Sequence, residues 1–132
     1  MVWTVRFDDA FEAELGALPK SVQDEMLSQA HVIKMFGPRA GRPRIDTLKG
    51  SKHANMKELR FDADGGVWRV AFAFDPERQA ILLVAGDKSG GNEKRFYKRL
   101  VKIADERFDL HLERIPKSGN RFSDKMRDKT KT

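Results

Sequence analysis

With 132 residues, the chain has room for one packed domain and too little for two of ordinary size. It is 39% hydrophobic and 35% charged, with nine Phe and two Trp, so it can bury a core while keeping a wetted exterior. The absence of Cys excludes disulfides, thiolate metal sites and a Cys nucleophile, and the net charge of +6 is spread unevenly.

The opening WTVRF (3 to 7) alternates apolar and polar residues and reads as a short strand. Asp8 and Asp9 then offer helix N-caps to AFEAELGAL. The start lacks a basic region followed by an apolar block, and no run approaches the ~18 apolar residues of a membrane span, so a cytoplasmic protein with no membrane partner is expected. Pro19 and Ser21 open a second helix, with Ser21 and Asp24 at capping-box spacing and Val22, Met26, Ala30 and Ile33 at core spacing up to Gly37-Pro38. His31 falls between those core positions and reads as a structural or boundary residue. GPRAGRPRIDTLKGSKHAN (37 to 55) is rich in Gly, Pro and basic residues without a period, the signature of a surface loop.

Strands follow at about 56 to 62, 67 to 75 and 80 to 86, joined by DADGG and DPERQ. Those connections are too short for crossover helices, so neighbouring strands run antiparallel. A last helix spans about Asn92 to Arg114, with Phe96, Leu100, Ile103, Ala104 and Phe108 on one face. The expected fold is α+β over residues 1 to 115: a small antiparallel sheet of about four strands, two N-terminal helices on one face and a C-terminal helix. The basic segment 116 to 132 has few apolar residues and is expected to be a flexible tail.

Asp64-Gly65 has the chemistry of a two-residue type I′ turn, which sets the register of the hairpin around it. Phe61 then lies opposite Trp68 and Leu59 opposite Val70 on a core face, while Arg60 meets Arg69 on the other, beside Glu58, Ala71 and Ala73. Facing guanidinium groups repel unless an anion lies between them. Either the face is an open phosphate cradle, or Glu58 neutralises the pair in an ion network. The charge distribution bears on the choice: segments 34 to 60 and 88 to 115 carry net charges of +6 and +3, while 1 to 33 carries −4. If folding joins the two basic segments, they form the footprint of a phosphate or nucleic-acid binder. Between the last strand and helix lie Lys88, a Gly-rich turn, Lys94 and Tyr97, without a nucleotide-loop pattern. His53, in the basic loop, is a candidate general acid or base, and three scattered His leave metal or cofactor binding unsupported.

LKGSKHANMKELRFDADGGVWRV, then ILLVAGDKS and EKRFYKRLVKIADERF, resemble the RelE/HigB-like branch of the RelE/ParE toxin superfamily over residues 1 to 108. The resemblance implies the toxin of a type II toxin–antitoxin system, cleaving mRNA on the ribosome without a metal to stop translation. ParE-like relatives inhibit gyrase instead, and a degenerate member would only bind its antitoxin. By resemblance Arg60, Arg69, Lys88 and Tyr97 fall on family site positions. Two lysines that RelE carries on the ELR strand correspond to Met56 and Glu58, with Lys57 on the opposite side of the strand. In such a reaction the 2′-hydroxyl is deprotonated and attacks the adjacent phosphorus. Arg60 and Arg69 would hold the developing charge, Lys88 the phosphate or leaving oxygen, and Glu58 or His53 would be the base. Tyr97 would stack on a nucleobase or assist proton transfer. Lys49, Lys52, Lys57, Lys94 and Lys98, with Lys102, would touch RNA phosphates. The implied partners are the ribosome, mRNA and a helix-turn-helix, HigA-like antitoxin with an acidic segment, through which alone operator DNA would be bound.

Overall fold

The computed structural model describes residues 2–41 and 43–116, so the expected flexible tail lies outside the described residues. The elements run β1 (Thr4–Phe7), α1 (Asp9–Leu15), α2 (Lys20–Phe36), a 3-10 turn (Gly37–Arg39), β2 (Ile45–Thr47), β3 (Met56–Ala63), β4 (Gly66–Phe74), β5 (Gln79–Asp87) and α3 (Glu93–Arg114). They build one five-stranded sheet in the order β1-β5-β4-β3-β2. Among the described residues no helix is long and apolar enough to cross a membrane.

The centre of the sheet follows from its turn. Asp64 and Gly65 both have positive φ, 51° and 75°, as a type I′ hairpin requires. The register is therefore the expected one, with Leu59 opposite Val70, Arg60 opposite Arg69 and Phe61 opposite Trp68. On one face Leu59, Phe61, Trp68, Val70 and Phe72 meet Phe11 of α1 and Val22, Met26, Ala30 and Ile33 of α2. At the end of α2 the chain turns at Gly37, whose φ is 55°. A Cβ there would stand 2.3 Å from the Trp3 indole, so no other residue fits.

Four expectations need correction. The face bearing Arg60 and Arg69 is not open along its length, because α3 packs Leu100, Ala104 and Phe108 onto Met56, Ala71, Ala73, Ile81 and Leu83. The alanines read as a bare surface are the small residues that let a helix approach closely. The sheet has five strands and is mixed: β1 joins its edge parallel to β5, pairing Thr4 with Gln79 through Phe7 with Leu82. The antiparallel rule governs strands joined by short connections, and these two are separated by most of the chain. The loop 37 to 55 contains β2, where Ile45 is buried and pairs with Leu59, a strand too short to show alternation. Finally, α2 starts at Lys20 after Pro19 with no side-chain cap, so Ser21 sits inside the helix and forms no capping box, and His31 is exposed.

One side chain ties the layers together. The β4–β5 ladder shifts register at Ala71/Phe72, so that Phe72 pairs with Leu82 and Ala71 with Val84. Leu83 is left over as a bulge, and Arg107 of α3 donates from Nη1 to its carbonyl at 2.8 Å. Arg107 Nη2 also reaches Glu14 of α1 at 2.6 Å. Arg107→Ala is expected to lower stability by about 1.5–3 kcal/mol in urea unfolding, the range for charge-assisted hydrogen bonds. The hydrogen bond from Arg107 holds the Glu14 carboxyl below its usual range. This part of the stability is therefore complete above the unfolded-state carboxylate range and fades as acid titrates Glu14 in the folded protein.

Candidate functional site

Beside the first turn of α3, an open groove of about 570 Å³ remains between α3 and the β2–β3 edge. Its walls carry Lys49, Arg60, Arg69, Lys88 and Tyr97, together with the carboxylates of Asp46, Glu58 and Glu93. The arginine pair is a close one. The Arg60 amide donates to the Arg44 carbonyl on the β2 side, so Arg60 and Arg69 form a non-hydrogen-bonded pair whose Cα atoms stand about 4.5 Å apart.

Glu58 explains how the sheet tolerates this. Its side chain, 7% exposed, lies between the two guanidinium groups. Arg60 Nη2 donates to Oε2 at 3.1 Å, and Arg69 Nε stands 3.6 Å from Oε1. Tyr97, reaching down from α3, donates its hydroxyl to the same Oε1 at 2.6 Å and accepts from Arg69 Nε at 3.2 Å. Arg69 is further fixed by donating Nη1 to the Trp68 carbonyl at 2.9 Å. The ion-network alternative thus describes the resting site: the pair is bridged by a carboxylate of the chain itself. Arg60 Nε is buried with no hydrogen-bond partner.

The electrostatics follow from these contacts. Burial, then the bond to Glu58, pushes the Tyr97 phenol above its ordinary value, so it remains a neutral donor at neutral pH. The hydrogen bond to Glu58 raises Arg60 further into its always-charged range. Lys88, its side chain 22% exposed, donates from Nζ to Glu93 Oε1 at 2.9 Å. Chemically the cluster offers fixed cations for an anion, a buried carboxylate, and a hydroxyl linking that carboxylate to the groove.

Of the residues singled out from sequence, Glu58, Arg60, Arg69, Lys88, Tyr97 and Lys49 come together here. His53 does not. Its Nε2 is 2.8 Å from Asp109 Oδ1 and its ring packs edge-on to Phe108, while Lys52 pairs with the other Asp109 oxygen at 2.5 Å. With Ser51 donating to Asp105 at 2.5 Å, these contacts pin the basic loop to α3 outside the groove. Folding does bring the two basic segments together, but partly to neutralise one another. Lys57 faces the α2 side of the sheet, between Thr47 and Phe72, and Lys94 and Lys98 are exposed on α3. Sequence reading missed Asp46 and Glu93. Asp46 was hidden in the unrecognised β2, whereas Glu93, next to a helix N-cap and five residues from Lys88, was there to be noticed. His111, given no role from sequence, pairs with the enclosed Asp75 at 2.8 Å and fastens α3 to the β4–β5 turn. Among the described residues no group of three or more His, Asp or Glu has metal-site geometry.

Comparison with known proteins agrees with this architecture. A family model described as Phage derived protein Gp49-like matches residues 13–109. The chain belongs to this Gp49-like family. Among its relatives are two from Mycobacterium tuberculosis (strain ATCC 25618 / H37Rv) whose names class them as toxins. HigB2 is 40% identical over 111 residues, 83% of this chain and 54% of HigB2. HigB3 is 45% identical over 96 residues, 73% of this chain and 82% of HigB3. The matched stretch thus spans about half of HigB2. The fold matches E. coli toxin RelE, solved as a mutant in the free state, with TM-score 0.54 and 13% identity over 77% of this chain and 96% of RelE. It also matches the toxin–antitoxin complex RelBE2 from M. tuberculosis, with TM-score 0.51 and 18% identity over 68% of this chain and 95% of that one. The Gp49-like chain is thus related in sequence to HigB3 and HigB2 and shares its fold with RelE.

Proposed function

We propose that this Gp49-like protein is the toxin of a type II toxin–antitoxin system and cleaves mRNA on the ribosome. The observation that carries the reading is the Arg60–Glu58–Tyr97–Arg69 cluster opening into a groove that also holds Lys49 and Lys88. RNA differs from DNA in carrying its own nucleophile, so the protein needs only a base, cations and positioning. The 2′-hydroxyl gives its proton to the Tyr97 oxygen as Tyr97 passes its own to Glu58. The 2′-oxygen then bonds to phosphorus and the bond to the 5′-oxygen breaks, leaving a 2′,3′-cyclic phosphate. The departing oxygen takes a proton from Lys88 or water. Arg69 and Arg60 stabilise the extra charge on the phosphoryl oxygens.

The antitoxin partner is supported by proteins of the same fold solved as complexes, RelBE2 and the RelE–RelB complex of Pyrococcus horikoshii. A helix-turn-helix antitoxin with an acidic segment would compete with the groove's own carboxylates for Lys49, Arg60, Arg69 and Lys88. The test is a purified translation system supplied with one message. Cleavage within the translated region, with cyclic-phosphate ends, is expected. Intact message together with inhibited DNA supercoiling would replace this reading by a gyrase-directed one. In the same assay His53→Gln should cut as fast as wild type, because the Asp109 pair holds His53 outside the groove. A large loss at His53 would instead make it the base.

A further inference from the structure

The groove is well supplied with cations yet nearly neutral. Lys49, Arg60, Arg69 and Lys88 on its walls are opposed by Asp46, Glu58 and Glu93, a net of +1. The three carboxylates are not held alike. Glu58 is buried and takes hydrogen bonds from Tyr97 and Arg60. Asp46 belongs to β2, and its side chain also accepts from the Thr47 amide at 2.8 Å, so the strand restrains it. Glu93 is different: its side chain is 68% exposed on the first turn of α3, yet it holds Lys88, which is only 22% exposed. The Lys88 hydrogen bond and charge keep the Glu93 carboxyl below its usual range, and the Arg69 charge acts in the same direction. A water-facing carboxylate therefore occupies the positive field of the groove, where a phosphate of a bound strand would compete for the same ammonium.

We propose that Glu93 is an internal competitor for RNA phosphate, a specificity residue that keeps the groove from holding loose RNA. In the free protein it occupies Lys88. When a strand is presented at high local concentration, a phosphate displaces it beside Lys88, and the carboxylate, whose side chain is already 68% exposed, swings into water at little cost. Lys88 then becomes available to the substrate. The ligand class rests on the RNA-cleaving reading above, whereas the competition itself is a property of the groove and is measured without cleavage.

The experiment uses the full chain and a fluorescent, uncleavable single-stranded 2′-O-methyl RNA, with binding followed by anisotropy across a salt series. Glu93→Gln is expected to tighten binding about fivefold at low salt and to steepen the salt dependence by about one phosphate contact. Glu12→Gln, which removes an exposed carboxylate on α1, controls for net charge and should change little. In a Lys88→Met background the gain from Glu93→Gln should shrink to that of the control. The inference is overturned if Glu93→Gln fails to tighten binding, if Glu12→Gln tightens it equally, or if the gain survives without Lys88. A wild-type protein that leaves mRNA intact on ribosomes but shows the expected binding pattern would sink the nuclease and keep the competitor. One that cuts mRNA but lacks the pattern would do the reverse.

Discussion

Arg69→Ala is expected to slow mRNA cleavage on the ribosome by about 100- to 1000-fold, the loss typical of removing one preorganised donor aimed at developing charge. The expectation rests on how firmly the guanidinium is placed. Only 13% of the Arg69 side chain is exposed, and it is fixed by the Trp68 carbonyl and the Tyr97 hydroxyl, so no reorganisation is needed when the phosphorus gains a fifth oxygen. Arg69→Lys should recover only part of the rate, because an ammonium keeps the charge but cannot span Tyr97 and a phosphoryl oxygen with a planar fork. Thermal unfolding of both variants separates this from a folding defect, since the cores above and below the sheet do not include Arg69. A folded Arg69→Ala protein that cuts at the wild-type rate would remove the electrostatic role.

Glu58→Gln should cost about 100- to 10 000-fold in cleavage, as expected for losing a general base. It should also relax the arginine pair, since an amide no longer carries the charge that bridges guanidinium groups at 3.1 and 3.6 Å. The two roles are separable through Tyr97. Tyr97→Phe leaves the Glu58–Arg60 contact in place but breaks the 2.6 Å link from the carboxylate to the groove. If Glu58 acts through that hydroxyl, single-turnover rates of Tyr97→Phe and Glu58→Gln fall together and the double variant is no worse than either. If Glu58 only holds the arginines, Tyr97→Phe stays close to wild type while Glu58→Gln does not.

Much of this candidate site is legible in the sequence. The Asp64-Gly65 turn admits one hairpin register, and strand side chains alternate strictly, so Arg60 had to face Arg69 with Glu58 beside them. The helical spacing of Phe96, Leu100, Ala104 and Phe108 likewise marked the buried face of α3. The same pattern left open which side of the sheet that helix would cover. It hid the parallel seat of β1 and the three residues of β2, because both depend on partners distant in the chain.

The chain order alone thus determined the elements other than β2, the hairpin pairing and most of the residues proposed to handle a phosphate, since turn geometry and side-chain alternation act over a few neighbours. Only tertiary packing decided that α3 closes most of the arginine face and leaves a groove at its first turns. Packing also drew His53 away to Asp109, set Tyr97 on Glu58, and placed Asp46 and Glu93 on the rim. Docking of a helix on a sheet is governed by the shape and apolar area of surfaces far apart in sequence, and no local pattern carries that information.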